Sequence, residues 1–133
     1  DGKLEYKELP EKFQAGFRNY VGLVGMESSI TYLQNLGLDN IRKHIIKLSN
    51  LFIDEIGKIS ESKVYVPEDE SVRTSIVSFD IGNDPETVVS ELTKKDIIIA
   101  KREILDKPIL RISPHIFNTE DEILRLVEEL KKL

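Results

Sequence analysis

Apolar positions recur at two different periods along the chain, so a helical first half gives way to a half in which strands alternate with helices. Leu23, Met26, Ile30 and Leu33 recur at helical spacing, and Gly37 predicts the C-terminal cap of that first helix. Asp39 is the expected N-cap of a second helix with a regular stripe: Ile41, Ile45, Leu48, Phe52, Ile56 and Ile59. Periodicity alone explains that stripe as core packing. Lys63 to Val66 reads as a short strand and Pro67 to Arg73 as a charged loop. Thr74 to Ile81 alternates, with Val77, Phe79 and Ile81 on one face. Asp84 fits the N-cap and Pro85 the first position of a helix carrying Val88, Val89 and Leu92, which should stop near Lys95. Ile97 to Ile99 predicts a buried strand. Pro108 to Ser113 predicts another, with Leu110 and Ile112 on one face and Arg111 and Ser113 on the other. Thr119 and Glu122 form a capping-box pair for a last helix with the core stripe Ile123, Leu126, Val127, Leu130 and Leu133.

The order helix, helix, strand, strand, helix, strand, strand, helix predicts an α+β domain. Its small sheet, mixed or antiparallel, should carry helices mainly on one face. Residues 1–12 read as a linker or arm and residues 13–133 as one domain. A sheet covered on one side has a second side, and Arg111 and Ser113 fall on it. A guanidinium stays charged and is costly to bury alone, so an arginine inside an apolar strand predicts an anionic partner. One of the domain's own carboxylates would satisfy it as well as an outside ligand would.

Composition narrows the classes. A length of 133 residues with 40% hydrophobic and 32% charged content describes a globular chain with a real core. A formal charge of -5 argues against nucleic acid and against an anionic membrane surface. No apolar run approaches the roughly 18 residues that span a bilayer. The chain begins Asp1-Gly2-Lys3 without methionine or a signal-like apolar block, so it reads as part of a longer, cytoplasmic protein. The absence of cysteine excludes disulfides, thiolate metal sites and a cysteine nucleophile in this chain.

Other candidate groups have simple explanations. His44 is expected on a helix surface, and His115 in the Ser113-Pro114-His115 turn; no metal role is expected for either. Glu68, Asp69 and Glu70 read as a solvated turn. Glu120, Asp121 and Glu122 suit the positive end of the last helix. Gly22 and Gly25 lack a P-loop context and are expected to let helices approach closely. No GxSxG nucleophile elbow occurs, and no residue of this chain is expected to be catalytic.

Three blocks carry a family resemblance. The first is Phe13-Gln14-Ala15-Gly16-Phe17-Arg18-Asn19-Tyr20 with the helix end Tyr32 to Gly37. The second is Ile98-Ile99-Ala100-Lys101-Arg102. The third runs from Arg111 through Ser113 and Asn118-Thr119 to Glu122, similar to the pattern RxSxxxYNTxxE. Together they resemble the C-terminal small domain of class V aminotransferase-type enzymes, closest to the selenocysteine lyase and isopenicillin N epimerase-like branch. The resemblance implies pyridoxal phosphate (PLP) as cofactor, held mainly by a large N-terminal domain, and an amino acid as substrate. It implies that Arg111 pairs with the substrate carboxylate and that Arg102 lies near the substrate entrance. Gly16, Arg18 and Asn19 are implied near the cofactor phosphate, across a homodimer contact.

The departures from the family pattern matter as much. Phe17 stands where the family's threonine touches the phosphate. Glu103 to Lys107 replaces the cysteine-bearing loop of desulfurases. The cofactor-binding lysine next to a histidine has no match, since Lys43-His44 lies within a helix in reversed order. This chain alone should therefore be inactive. The competing expectation is a self-standing α+β regulatory or interaction module without cofactor.

Overall fold

A computed structural model describes residues 2–3, 5–14 and 16–133. The chain divides into two compact units, residues 1–38 and residues 39–133. In the first, a 3-10 turn at Glu11–Phe13 precedes α1, Tyr20–Leu36. Asn19 caps α1, its side-chain oxygen accepting the Gly22 N–H at 2.9 Å. A Cβ on Gly22 would stand 2.6 Å from the Asn19 side-chain nitrogen, whereas one on Gly25 would meet nothing within 4 Å. Gly22 thus makes room for the cap, and neither glycine serves the close helix approach expected from sequence. At the other end Gly37, at φ +84°, donates to the Leu33 and Gln34 carbonyls as predicted. Leu23, Met26 and Ile30 of the first stripe stay exposed.

The boundary between the units falls in the first turn of α2, Leu38–Ile56, which starts two residues earlier than predicted. Asp39 is consequently not the cap but lies in the first turn, where the helix dipole favours it. Leu48, Phe52 and Ile56 are fully buried, and Ile59 packs on the core from beyond the helix end. Four antiparallel strands follow: β1 Lys63–Tyr65, β2 Val77–Asp80, β3 Ala100–Ile104 and β4 Lys107–Ile112, in the order β1-β2-β4-β3. Phe79 stands opposite both Val64 and Leu110, and Val77 opposite Ile112. These inward positions share one core with α2, with α3 (Pro85–Thr93) and with α4 (Glu120–Leu130). The sheet is wholly antiparallel, and the α+β architecture is the one the patterning predicts.

Two helix starts match their sequence signals. Asp84 caps α3 by accepting the Thr87 N–H at 2.9 Å, with Pro85 next. Thr119 and Glu122 close the reciprocal capping box of α4.

Ile97 to Ile99 is not a strand, and Ile98 is 88% exposed. β3 is an edge strand, its one partner β4 ends at Ile112, and Pro114 just beyond has no amide to continue a ladder. Three isoleucines have the propensity but no neighbour to pair with. The segment 103–107 is a hairpin end: Ile104 pairs with Lys107, and Leu105 and Asp106 turn at φ +50° and +61°.

Lys132 and Lys95 both donate to Glu129 on α4, the former at 2.6 Å. First the Lys132 bond and then that of Lys95 hold its carboxyl well below the usual value of 4.5, at about 2. A depressed folded pKa means stability that is complete above pH 4.5 and is lost as the pH falls toward 2. Glu129→Gln should therefore lower stability at neutral pH and flatten the acid-unfolding curve in that window, the variant and the parent converging as the pH nears 2. An acid limb that superimposes on that of the parent protein would refute this.

Candidate functional site

The sheet's outer face is built by register. Tyr65 stands opposite Ser78, Ser78 opposite Arg111, and Arg111 opposite Ala100, so these four form one row across all four strands. Leu110 and Ile112, flanking Arg111, point the other way into the core. Arg102 pairs with Ile109, which makes it the diagonal neighbour of Arg111 on the same face, within reach for long side chains. Ile109 is buried on this face, an apolar contribution not read from the sequence.

Five of the six arginines donate hydrogen bonds. Arg18 donates to Gln14, Arg42 to Ser71, Arg73 to Glu68, Arg102 to the Lys101 carbonyl and Arg125 to the Lys95 carbonyl. Arg111 differs. Among the described residues its guanidinium has no hydrogen-bond or ion-pair partner, and its Nε is buried and unsatisfied. Such a donor costs about 1–3 kcal/mol until something accepts from it.

A cleft of about 420 Å³ opens beside Arg111. Its walls are residues 96–100, residues 111–114 and the start of α4. Two acids, Asp96 and Glu122, line the same cleft, and Glu122 is committed elsewhere. Its carboxylate accepts from Asn118 Nδ2 at 3.1 Å and from the Thr119 N–H at 3.0 Å, and these bonds, Asn118 first, hold its pKa below the usual carboxylate value. Asn118 also accepts the His115 N–H through Oδ1 at 2.9 Å, while its own carbonyl lies 3.0 Å from His44 Nε2. His44 is therefore half-buried and ties α2 to the loop after β4, not the free surface residue expected. That loop, fixed at both ends, sets where β4 stops and hence where Arg111 stands.

Gly16, Arg18 and Asn19 belong to the first unit; Ala15 of the same block lies outside the described residues. Gly16 has φ +80°, and a Cβ added there would meet nothing within 4 Å. Arg18 makes one bond, to Gln14 at 2.5 Å, and Asn19 uses its oxygen as the helix cap. Phe17 is 93% exposed and meets Tyr20 edge-on at 5.7 Å. Among the described residues no three His, Cys, Asp or Glu side chains gather to hold a metal, and no helix is long and apolar enough to cross a membrane.

Comparison with known proteins bears on the fold and the family. A probable cysteine desulfurase of Halalkalibacterium halodurans is 28% identical over 137 residues, covering 96% of this chain and 33% of that protein. The chain thus spans about a third of the length of the curated relatives it matches. The apo cysteine desulfurase of Thermococcus onnurineus NA1 superposes with a TM-score of 0.84 at 23% identity, covering 96% of this chain and 34% of that one. The enzyme C-DES, a cystine C-S lyase solved with glycine covalently linked to its PLP cofactor, superposes at 0.76 with 19% identity, covering 99% and 34%. These structures share the fold. Residues 2–126 match the family Aminotransferase class-V, and the chain belongs to that family.

Proposed function

We propose that residues 13–133 form the C-terminal small domain of a PLP-dependent enzyme that transforms an amino acid as a lyase, aminotransferase or epimerase. The observation that carries this reading is Arg111, the one arginine without a partner among the described residues, standing on the sheet face turned from the core. A planar fork of donors suits a carboxylate bidentately, and the substrate's α-carboxylate is the anion assigned to it. Arg102, one diagonal step away, adds positive charge at the approach.

When bound, PLP supplies the electron sink that makes a bond at the substrate Cα labile. This chain's residues bind and orient. Arg111 anchors one end of the substrate and so restricts how its Cα bonds lie, a gain in positioning. The donors of residues 16–19 fit a phosphate. Arg18 spends one N–H on Gln14 and keeps the rest, and the Asn19 amide nitrogen is not used by the cap. The segment 13–20 would then meet the cofactor of a second subunit in a homodimer. A preceding large domain would supply the lysine that holds the cofactor, and the enzyme would be cytoplasmic.

The relatives bear the name desulfurase, yet this chain has no cysteine, and its β3–β4 hairpin closes in two residues. No persulfide can form on this domain, which favours the selenocysteine lyase or epimerase-like branch. The test is reconstitution of the full-length protein with PLP. A new absorption band toward the visible, perturbed by added amino acids, is expected; a spectrum identical to free PLP would reject the reading.

A further inference from the structure

The outer face holds a second polar side chain without a hydrogen bond among the described residues, one that no family pattern accounts for. Ser78, directly opposite Arg111 on the central strand β2, is only 6% exposed. Val77 and Phe79 on either side face the core, so the Ser78 side chain lies on the Arg111 side of the sheet. Among the described residues its hydroxyl has no hydrogen-bond partner, unlike Ser49, the other buried serine, which donates to the Ile45 carbonyl at 2.9 Å. A hydroxyl without a hydrogen bond, on a serine 6% exposed, and a buried unpaired Nε–H therefore stand on neighbouring strands at one register position. Directly opposite residues have Cβ atoms about 4.5–5.5 Å apart, and Nε lies three bonds beyond Cβ in any arginine, so a rotamer change brings the two within hydrogen-bond distance.

We infer that Ser78 is a positioning residue for Arg111: its hydroxyl oxygen accepts the Nε–H, which turns the two terminal nitrogens outward as a fixed fork for a carboxylate. The inference rests on the proposed role of Arg111 and adds to it. Arginine has donors only, so a hydroxyl acceptor behind the head group satisfies Nε without competing for the anion in front. An aspartate there would neutralise the clamp. A small neutral acceptor does not, which gives the serine a reason to stand between Val77 and Phe79.

The test uses the full-length enzyme with an amino-acid substrate and with the matching amine that lacks the carboxylate. Ser78→Ala should raise KM for the amino acid about tenfold at nearly constant kcat, the size of one hydrogen bond to a charged group. Binding of the amine should not change, and Ser78→Thr, which keeps a hydroxyl, should restore most of the loss. In an Arg111→Ala background, Ser78→Ala should add nothing. Equal weakening of acid and amine, or an unchanged KM for the acid, would overturn the inference. If Arg111→Ala weakens the acid while Ser78→Ala is silent, only the serine role fails. If Arg111→Ala is itself silent, the parent reading fails with it.

Discussion

Phe52→Ala should cost the domain about 3–5 kcal/mol, the range for removing a large buried aromatic side chain. Phe52 has no exposed surface, sits mid-way along the buried stripe of α2, and meets Phe79 of β2 edge-on at 4.9 Å. That contact joins the longest helix to the centre of the sheet, so truncation opens a cavity where layers meet. Leu48 and Ile56, one turn away on either side, are themselves fully buried and have little freedom to fill it. Against a typical domain stability of about 5–15 kcal/mol, the loss is a third or more of the total. Denaturant titration of residues 1–133 would show it as a large fall in midpoint, with Phe52→Leu recovering part. A loss below about 1 kcal/mol would mean that the two layers are not held at this point.

Arg111→Ala is the second large effect, and it acts on binding, not folding. In the proposed full-length enzyme it removes charge-assisted hydrogen bonds worth about 1.5–3 kcal/mol. The ratio kcat/KM for the amino acid should fall roughly tenfold to somewhat over a hundredfold. The fold should not suffer, because Arg111 makes no ion pair or hydrogen bond among the described residues, and its replacement removes a buried unsatisfied Nε. A domain slightly more stable and an enzyme much weaker is an unusual combination. It separates a ligand clamp from a structural ion pair, whose loss would lower stability.

The helices and the inner sheet face were legible because burial leaves a period. Leu48, Phe52 and Ile56 recur every fourth residue on α2, and Val77 and Phe79 alternate on β2. Helix starts at Asp84 and Thr119 were legible for a chemical reason: the cap is a side chain of defined type at a defined offset. Arg111 stood out as a charge against an apolar background. What failed depended on distant partners. Ile97 to Ile99 has strand propensity, but only the sheet's topology reveals that no neighbour is there to pair. His44 contacts the carbonyl of Asn118, 74 positions away, and no local pattern signals such a bond. Gly22 and Asn19 are three apart, and their link follows from cap geometry, which the spacing of Gly22 and Gly25 does not carry. Ser78 carries no signal of its own, since a serine at an outward strand position is ordinary until its register opposite Arg111 is known.

The most direct measurement is the dissociation constant of the full-length protein for an amino-acid ligand and for its carboxylate-free amine, before and after Arg111→Ala. The account predicts that the substitution weakens the amino acid by at least tenfold and leaves the amine unaffected. Equal weakening of both ligands, or of neither, would contradict a guanidinium that waits on the outer face of the sheet for an external carboxylate.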